Sequence, residues 1–349
     1  MPEYLKPDIC IIGAGAGGLA AAKTACGLGA SVVLVESGSI GGDINLGSVP
    51  AHALIAAGYR AHLIRTSGEF GIADSEPKVN FRGIQSYVQS VVKAVSRHEG
   101  TEQLASRDIE VIAATGKFVD KRTLQAGETL IRARRFIIAT GSAPAVPDIA
   151  GLADIDYFTT DTIFENFRKL THLVIVGGGP AGIEMAQAYC RLGCAVSLVD
   201  KGEVLGRHDR ELVEITLRRL REEGVDIREQ SVVSQIEARS QGIGVRIKNG
   251  AGEEDVLDAS HVLIATGRQA NIGDLELGTA RVATVGGKSG RLRLNKFGRT
   301  SNFRIYAIGS AAGGHAQLPE IEHQATISVR RALLGFAANR EPDGVAIGL

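Results

Sequence analysis

The chain has 349 residues, 44% of them apolar, and its 39 basic and 39 acidic side chains cancel. That length leaves room for two domains, and a neutral balance without a basic stripe argues against nucleic acid or an anionic membrane as partner. No apolar run reaches the ~20 residues that span a bilayer. The first apolar strand starts near Asp8, which leaves no room for a signal peptide, and Cys10, Cys26, Cys190 and Cys194 do not form a secreted disulfide framework, so a reducing cytoplasm is expected.

Residues 8–36, DICIIGAGAGGLAAAKTACGLGASVVLVE, read as a strand (Ile9–Ile12) running into Gly13-x-Gly15-x-x-Gly18. A helix follows, then a strand ending at Glu36. The next stretch, GGDINLGSVPAHALI (41–55), opens on two glycines, continues as a polar loop to a helix start at Pro50, and holds no cysteine. Residues 136–145, FIIATGSAPA, form an apolar strand ending in Ala139-Thr140-Gly141.

Residues 172–200, HLVIVGGGPAGIEMAQAYCRLGCAVSLVD, repeat the opening pattern with Gly177, Gly179, Gly182 and Asp200. In both copies the acid lies 23 residues after the first glycine. Cys190 and Cys194 sit four apart, but zinc needs more ligands nearby, so two small buried residues are expected and no metal site. RELVEITLRRLREEGVDI predicts an amphipathic helix with Leu212, Ile215, Leu217 and Leu220 along one face. HVLIATGR (261–268) is a second apolar strand, ending in Ala265-Thr266-Gly267. RIYAIGSAAGG (304–314) precedes a helix that opens at Pro319.

The repeated pattern has a physical reading. The first glycine makes the tight turn, the second lets a pyrophosphate approach the backbone, and the third lets helix and strand pack closely. The helix N-terminus offers free N–H groups and partial positive charge to phosphates. The acid accepts hydrogen bonds from ribose hydroxyls. Two complete copies imply two dinucleotide sites, and therefore electron transfer between two dinucleotides.

The ordered ensemble of glycine loop, Ala-Thr-Gly, glycine loop, Ala-Thr-Gly and Gly309 segment resembles the pyridine nucleotide–disulfide oxidoreductases, from residue 8 to about 335. The resemblance implies an α/β fold of two Rossmann-like domains, the NAD domain inserted into the FAD domain. FAD would take residues 1–150 and 270–336, NAD would take 151–269, and 337–349 would be a stub of a further domain. Gly13, Gly15, Gly18, Glu36, Gly42, Thr140, Gly141, Gly309 and Ser310 would hold FAD. Gly177, Gly179, Gly182, Asp200, Thr266 and Gly267 would hold the nicotinamide nucleotide. Asp200 would repel the 2′-phosphate of NADP, about −1.5 to −2 in charge, and favours NAD, although Lys201 beside it works the other way. Glu184 matches a family glutamate that pairs with a lysine near the flavin, and His52 stands at that lysine. A solvent-facing helical histidine is the alternative for His52.

Three departures qualify the resemblance. The family's paired cysteines are missing from 41–55: one position is skipped and Ser48 stands at the other. The Gly41-Gly42 loop is expected to absorb the shortening. Ser310 replaces the family's ribityl-binding aspartate, a loss of about 1.5–3 kcal/mol that weakens FAD binding without abolishing it. The family's C-terminal interface domain has no counterpart before Leu349, and His315 and His323 do not match its motif, so no family-type homodimer is expected. Two readings stay open. One is an NADH-dependent flavin oxidoreductase that passes electrons to a small acceptor. The other is a non-catalytic nucleotide-binding relative.

Overall fold

The computed structural model describes residues 4–97, 100–286, 290–313 and 317–335, so His315 and the 337–349 stub lie outside the described residues. The helices are α1 (Ala16–Gly27), α2 (Val49–Arg65), α3 (Phe81–Ser96), α4 (Thr101–Ala105), α5 (Pro180–Arg191), α6 (Arg210–Glu222) and α7 (Leu318–Leu334). None is long and apolar enough to cross a membrane. The chain forms two compact units. The first comprises Met1–Asn45, Ala94–Ala143 and Gln269–Leu349, and the second Leu46–Lys93 and Pro144–Arg268.

The first unit is built on a five-stranded parallel sheet. Its order is Ile305–Ala307, Arg135–Ile138, Ile9–Ile12, Val32–Glu36, Ile109–Ala113. The strand Ile9–Ile12 is central, and the connection reverses direction on either side of it. Side chains alternate along it: Ile9 and Ile11 join one core with Leu19 and Val329, while Cys10 and Ile12 join another with Phe118 and Phe136. Burial on both faces is what a covered parallel strand requires, and it explains the unbroken apolar run. A small sheet, Tyr4–Leu5, Thr129–Ile131, Thr123–Ala126, Gly116–Asp120, completes the unit.

The second unit repeats the plan. Its parallel sheet runs Phe158–Thr159, His261–Ile264, His172–Val176, Ala195–Val199, Asp226–Arg228. Leu173 and Ile175 face one core, Val174 and Val176 the other. A three-stranded antiparallel meander, Ser231–Ala238, Ile243–Asn249, Glu254–Ala259, lies beside it. The fold class is therefore the expected one, two Rossmann-like α/β units.

Two expectations differ from the structure. Residues 46–93, assigned above to the 1–150 segment, group with the second unit. The reason is a stripe of small residues on α2. Ala51, Leu54 and Ala61 are buried in one core with Met185, Ala188 and Tyr189 of α5. A Cβ on Gly58 would lie 2.9 Å from the Ala188 carbonyl oxygen, so the helices approach to near backbone contact. On α6 the buried stripe is Val213, Leu217 and Leu220, whereas Leu212 and Ile215 are 53% and 62% exposed. Positions i, i+4 and i+7 share a face at about 100° per residue, and Leu212 and Ile215 fall outside that arc.

Cys190 and Cys194 are free thiols, Cys194 buried and Cys190 half-buried, and among the described residues no group of three metal-ligating side chains forms. Cys190 instead donates to the Glu223 carbonyl oxygen at 3.1 Å. The Glu223 carboxylate closes an ion network inside the second unit. It takes two bonds from Arg191, both 2.7 Å, and one from Arg219 at 3.2 Å. Burial by itself would raise its pKa, but the bonds and charge of Arg191, with the charges of His62 and Arg219, outweigh burial and hold it below the usual carboxylate value.

Two outcomes follow, both read by urea unfolding. Leu217→Ala should cost about 2–5 kcal/mol, while Ile215→Ala should stay within about 0.5 kcal/mol. Because the folded pKa of Glu223 is depressed, its stabilisation is present above the unfolded value of about 4.3 and is lost as pH falls through the folded value. Glu223→Gln should therefore lower stability by about 3–5 kcal/mol at pH 7. The gap to wild type should narrow on acidification below about pH 4; a gap that stays constant would exclude this role for the pair.

Candidate dinucleotide-binding sites

In an open α/β sheet, ligands bind beyond the carboxyl ends of the strands where the connection reverses. In the first unit that point lies between Ile9–Ile12 and Arg135–Ile138, whose last residues, Ile12 and Ile138, are paired. Gly13 therefore emerges beside Ala139. Its φ is +104°, and a Cβ there would sit 2.3 Å from the Ala139 carbonyl oxygen. A Cβ on Gly18 would sit 1.8 Å from the Gly13 carbonyl oxygen. Packing within the protein thus dictates both glycines.

Gly15 is different. Its backbone is extended (φ −75°, ψ −170°), and nothing lies within 4 Å of an added Cβ. Neither conformation nor packing calls for glycine there. Glycine suits a helix N-cap, and here it also leaves the backbone open to close approach of a ligand.

Glu36, at the end of the neighbouring strand, accepts from Ala14 N at 2.5 Å and Gly38 N at 2.7 Å. A carboxylate has about four lone-pair positions, so two remain for a ribose diol. The Gly41-Gly42 loop, with φ of +102° and +41°, folds back onto the glycine turn. Gly41 N donates to Ala14 O at 2.9 Å, and a Cβ on Gly42 would come within 3.2 Å of Gly15 Cα. A wide π-type turn, Ile44–Ser48, then leads into α2, with Pro50 in its first turn.

Thr140 and Gly141 follow the strand Arg135–Ile138, and the Thr140 hydroxyl is buried without a partner. Gly309 and Ser310 follow the strand Ile305–Ala307 in a short 3₁₀ turn. The nine residues expected around FAD are therefore brought to one edge of one sheet. The open face at Gly15, the half-engaged Glu36 and the partnerless Thr140 hydroxyl fit the phosphate, ribose and polar groups of a dinucleotide.

The second unit reproduces this geometry closely. Gly177 (φ +114°) would place a Cβ 2.4 Å from Ala265 O, and Gly182 would place one 2.0 Å from Gly177 O. Gly179 again has an extended backbone (φ −75°, ψ 177°) and nothing within 4 Å. Asp200 accepts from Gly178 N at 2.6 Å and Gly202 N at 2.7 Å, the counterparts of Ala14 and Gly38. The Thr266 hydroxyl donates to Ala145 O at 2.7 Å, which fixes the second Ala-Thr-Gly turn.

Glu184 lies in the first turns of α5, and His52 near the start of α2. Glu184 keeps an exposed surface, yet the protein crowded around it raises its carboxyl pKa, and the charge of His52 opposes that rise. The two side chains are thus within electrostatic reach. His52 Nδ1 is 2.7 Å from the Ser48 carbonyl oxygen. A carbonyl only accepts, so Nδ1 carries a proton and Nε2 is the nitrogen left to face a second group.

Three polar residues around these turns were not foreseen from sequence. Asn271 donates from its backbone to Gly141 O (3.0 Å) and from its side chain to Thr140 O (3.2 Å). Buried Gln324 on α7 accepts from Gly309 N at 3.1 Å. The Asp43 carboxylate lies 3.3 Å from where a Gly141 Cβ would be. Asn271 and Gln324 act on backbone distant in sequence and Asp43 lies beside it, so no spacing announces them.

Two glycine-loop sheets, one carried within the chain of the other, define an α/β protein with two dinucleotide-type sites. A family model described as pyridine nucleotide-disulphide oxidoreductase matches residues 7–329, and the chain belongs to that family. FAD and NAD(P) are the family's cofactors. The chain is 35% identical to a mercuric reductase of Streptomyces lividans, covering 86% of this chain and 65% of that protein. It is 30% identical to a dihydrolipoyl dehydrogenase of Geobacillus stearothermophilus, covering 96% and 71%. It spans between about half and two thirds of the length of the mercuric reductases it matches. Among solved structures it resembles the HOCl-induced flavoprotein disulfide reductase RclA from Escherichia coli, in its Cu(II) complex. The TM-score is 0.80 at 25% identity, covering 94% of this chain and 71% of that one.

The glycine geometry separates binding from folding. Gly15→Ala and Gly179→Ala should fold normally and lose at least about tenfold in affinity for FAD and NADH respectively. Gly18→Ala and Gly182→Ala should lose about 1–3 kcal/mol of stability or fail to fold. Thermal melts alongside ligand titrations check both; unchanged affinity in Gly15→Ala and Gly179→Ala would exclude the loops as phosphate sites.

Proposed function

We propose that this chain is an FAD-dependent NADH oxidoreductase that passes a hydride from NADH to flavin, and electrons on to a small acceptor, without a redox disulfide. The observation that carries the reading is the pairing, in each loop, of an open second glycine at the helix start (Gly15, Gly179) with an acid that keeps lone pairs free (Glu36, Asp200). Bound FAD would supply the two-electron chemistry. The chain's own part is to bind and orient. Helices α1 and α5 direct their N-termini at the phosphates. Glu36 and Asp200 offer their remaining lone pairs to the riboses, and Asp200 disfavours a 2′-phosphate. Glu184, its pKa raised by crowding, and His52, with Nε2 available, would set the proton balance beside the nicotinamide.

The chemistry of the thiols supports an exit without sulfur. A thiolate is the nucleophile in disulfide exchange. Burial pushes the Cys194 thiol up to about 11 and Cys10 higher still, and burial also raises Cys190. Cys26 is occupied by the Arg107 carbonyl oxygen at 3.0 Å. In the stretch 41–55, where the family keeps its pair, the chain has Asp43 and Ser48. A serine hydroxyl does not cycle between redox states.

The test is anaerobic stopped-flow absorbance on the purified, flavin-loaded chain. NADH should bleach the flavin band faster than NADPH, and admitted quinone or dioxygen should restore it. A yellow protein that NADH leaves unbleached would replace this reading with that of a non-catalytic nucleotide-binding relative. Reduction of a disulfide substrate should be absent in wild type and in Ser48→Cys alone, which creates one thiol without a partner. Substantial disulfide reduction by wild type would overturn the proposed exit route.

A further inference from the structure

The formal charge of zero conceals a division between the units. The first unit's segments carry 20 basic against 16 acidic residues, the second's 19 against 23. In the second unit Arg65, Arg191, Arg210, Arg219, Arg228 and Arg268 each reach a carboxylate within 4.0 Å. In the first unit, among the described residues, Lys121, Arg122, Arg135, Arg281 and Arg304 have no such partner. No acidic residue occurs between Leu277 and Pro319.

Of these cations, Lys121, Arg122 and Arg281 line an open cleft of about 570 Å³ together with Arg132, Asp120 and Thr279. None of these belongs to a glycine loop. The backbone beneath the cleft is tied: the buried Asn302 side chain donates to Lys121 O at 3.0 Å and to Ala280 O at 2.8 Å. The single carboxylate, Asp120, is engaged by the turn itself, accepting from Arg122 N at 2.6 Å.

Near this wall, Arg135 and Arg304 both donate to the Arg134 carbonyl oxygen, at 3.0 and 3.3 Å. The Nε of each is buried without a partner. Burial first, then the charges of Arg122 and Arg135, lower the Arg304 pKa. Asp8 is committed to Ser31 and, at 3.7 Å, to Arg134. Guanidinium groups crowded together with a single carboxylate, Asp120, facing them repel one another, and a multivalent anion relieves that repulsion.

We propose that this cleft binds a small molecule carrying two or more phosphate groups, at a site separate from both dinucleotide loops. Guanidinium forks match phosphate oxygens in pairs. The lining residues are all exposed, so the ligand is held at the surface by charge, and four cations in one short cleft match a few phosphates rather than the extended basic stripe a polymer needs.

The probe is inorganic tripolyphosphate, titrated calorimetrically into the full chain with FAD and NAD⁺ at saturation, so that the glycine loops are occupied. Binding should persist under those conditions and weaken as salt rises. The exposed pair Arg122→Glu and Arg281→Glu should weaken it at least about tenfold, whereas Arg122→Lys with Arg281→Lys should retain most of it, with circular dichroism confirming the fold of each. Three results would overturn the site: no binding at saturation with FAD and NAD⁺, affinity unchanged by charge reversal, or much tighter binding of a single-stranded oligonucleotide that covers many nucleotides.

Discussion

Most of this structure depends on one close approach, that of the first glycine of each loop to the carbonyl ending the neighbouring strand. Parallel pairing sets it. With Ile12 opposite Ile138 and Val176 opposite Ile264, the chain leaving each central strand must pass Ala139 or Ala265 at backbone distance. Only a residue without Cβ, free to take φ above +100°, passes there. That turn starts the helix immediately and aims its N-terminus at the sheet edge. The third glycine then follows from the helix lying so close to its own strand. A larger first residue would push helix and sheet apart, and both the anion site and the burial of Leu19 or Met185 would suffer together.

The two copies agree to within a few tenths of an ångström in these approaches, although their sequences differ at most other positions. Such agreement shows how little of the pattern is free. The acid is tied in as well. By accepting two amide bonds across the loop, Glu36 and Asp200 hold the turn in shape and orient their own remaining lone pairs. Bonds to a charged acceptor contribute about 1.5–3 kcal/mol each, so the acid proposed to read the ribose also stiffens the loop proposed to hold the phosphates. Orientation in advance of binding reduces the ordering cost a ligand must meet.

What was legible in the sequence is what local geometry determines. The strand–turn–helix–strand units, their glycines and their terminal acids are each fixed within about thirty residues, and they stand where the spacing put them. The allegiance of α2 was not legible, because Ala51, Leu54, Gly58 and Ala61 form a small-residue stripe without a marked polar counterface. Only the partner helix reveals what such a stripe packs against. On α6 the exposed Leu212 and Ile215 departed from expectation for another reason. Choosing Leu212 and Ile215 with Leu217 and Leu220 counted apolar residues without fixing the phase, whereas Val213 gives the phase that closes on the core. Asn271 and Gln324 were invisible for a third reason: a side chain that serves distant backbone leaves no periodic trace. The basic cleft was hidden by addition, since a whole-chain charge of zero says nothing about how two units divide it.

The stretch 41–55 carries the chemical consequence. A redox disulfide does two jobs: it stores an electron pair and it presents sulfur to substrate. Between Gly42 and Pro50 this chain offers carboxylate, amide and hydroxyl groups, which bind and move protons but store no electrons. The loop still folds back on the glycine turn through Gly41 N and Ala14 O, and Asp43 still lies beside Gly141, so its role in shaping the first site does not require sulfur. Structure and electron storage are therefore separable in this loop. The first survives on backbone bonds and two glycines, and the second leaves with the cysteines. On the function proposed above, electrons that reach the flavin find no sulfur relay in this stretch and pass directly to an acceptor that comes to it.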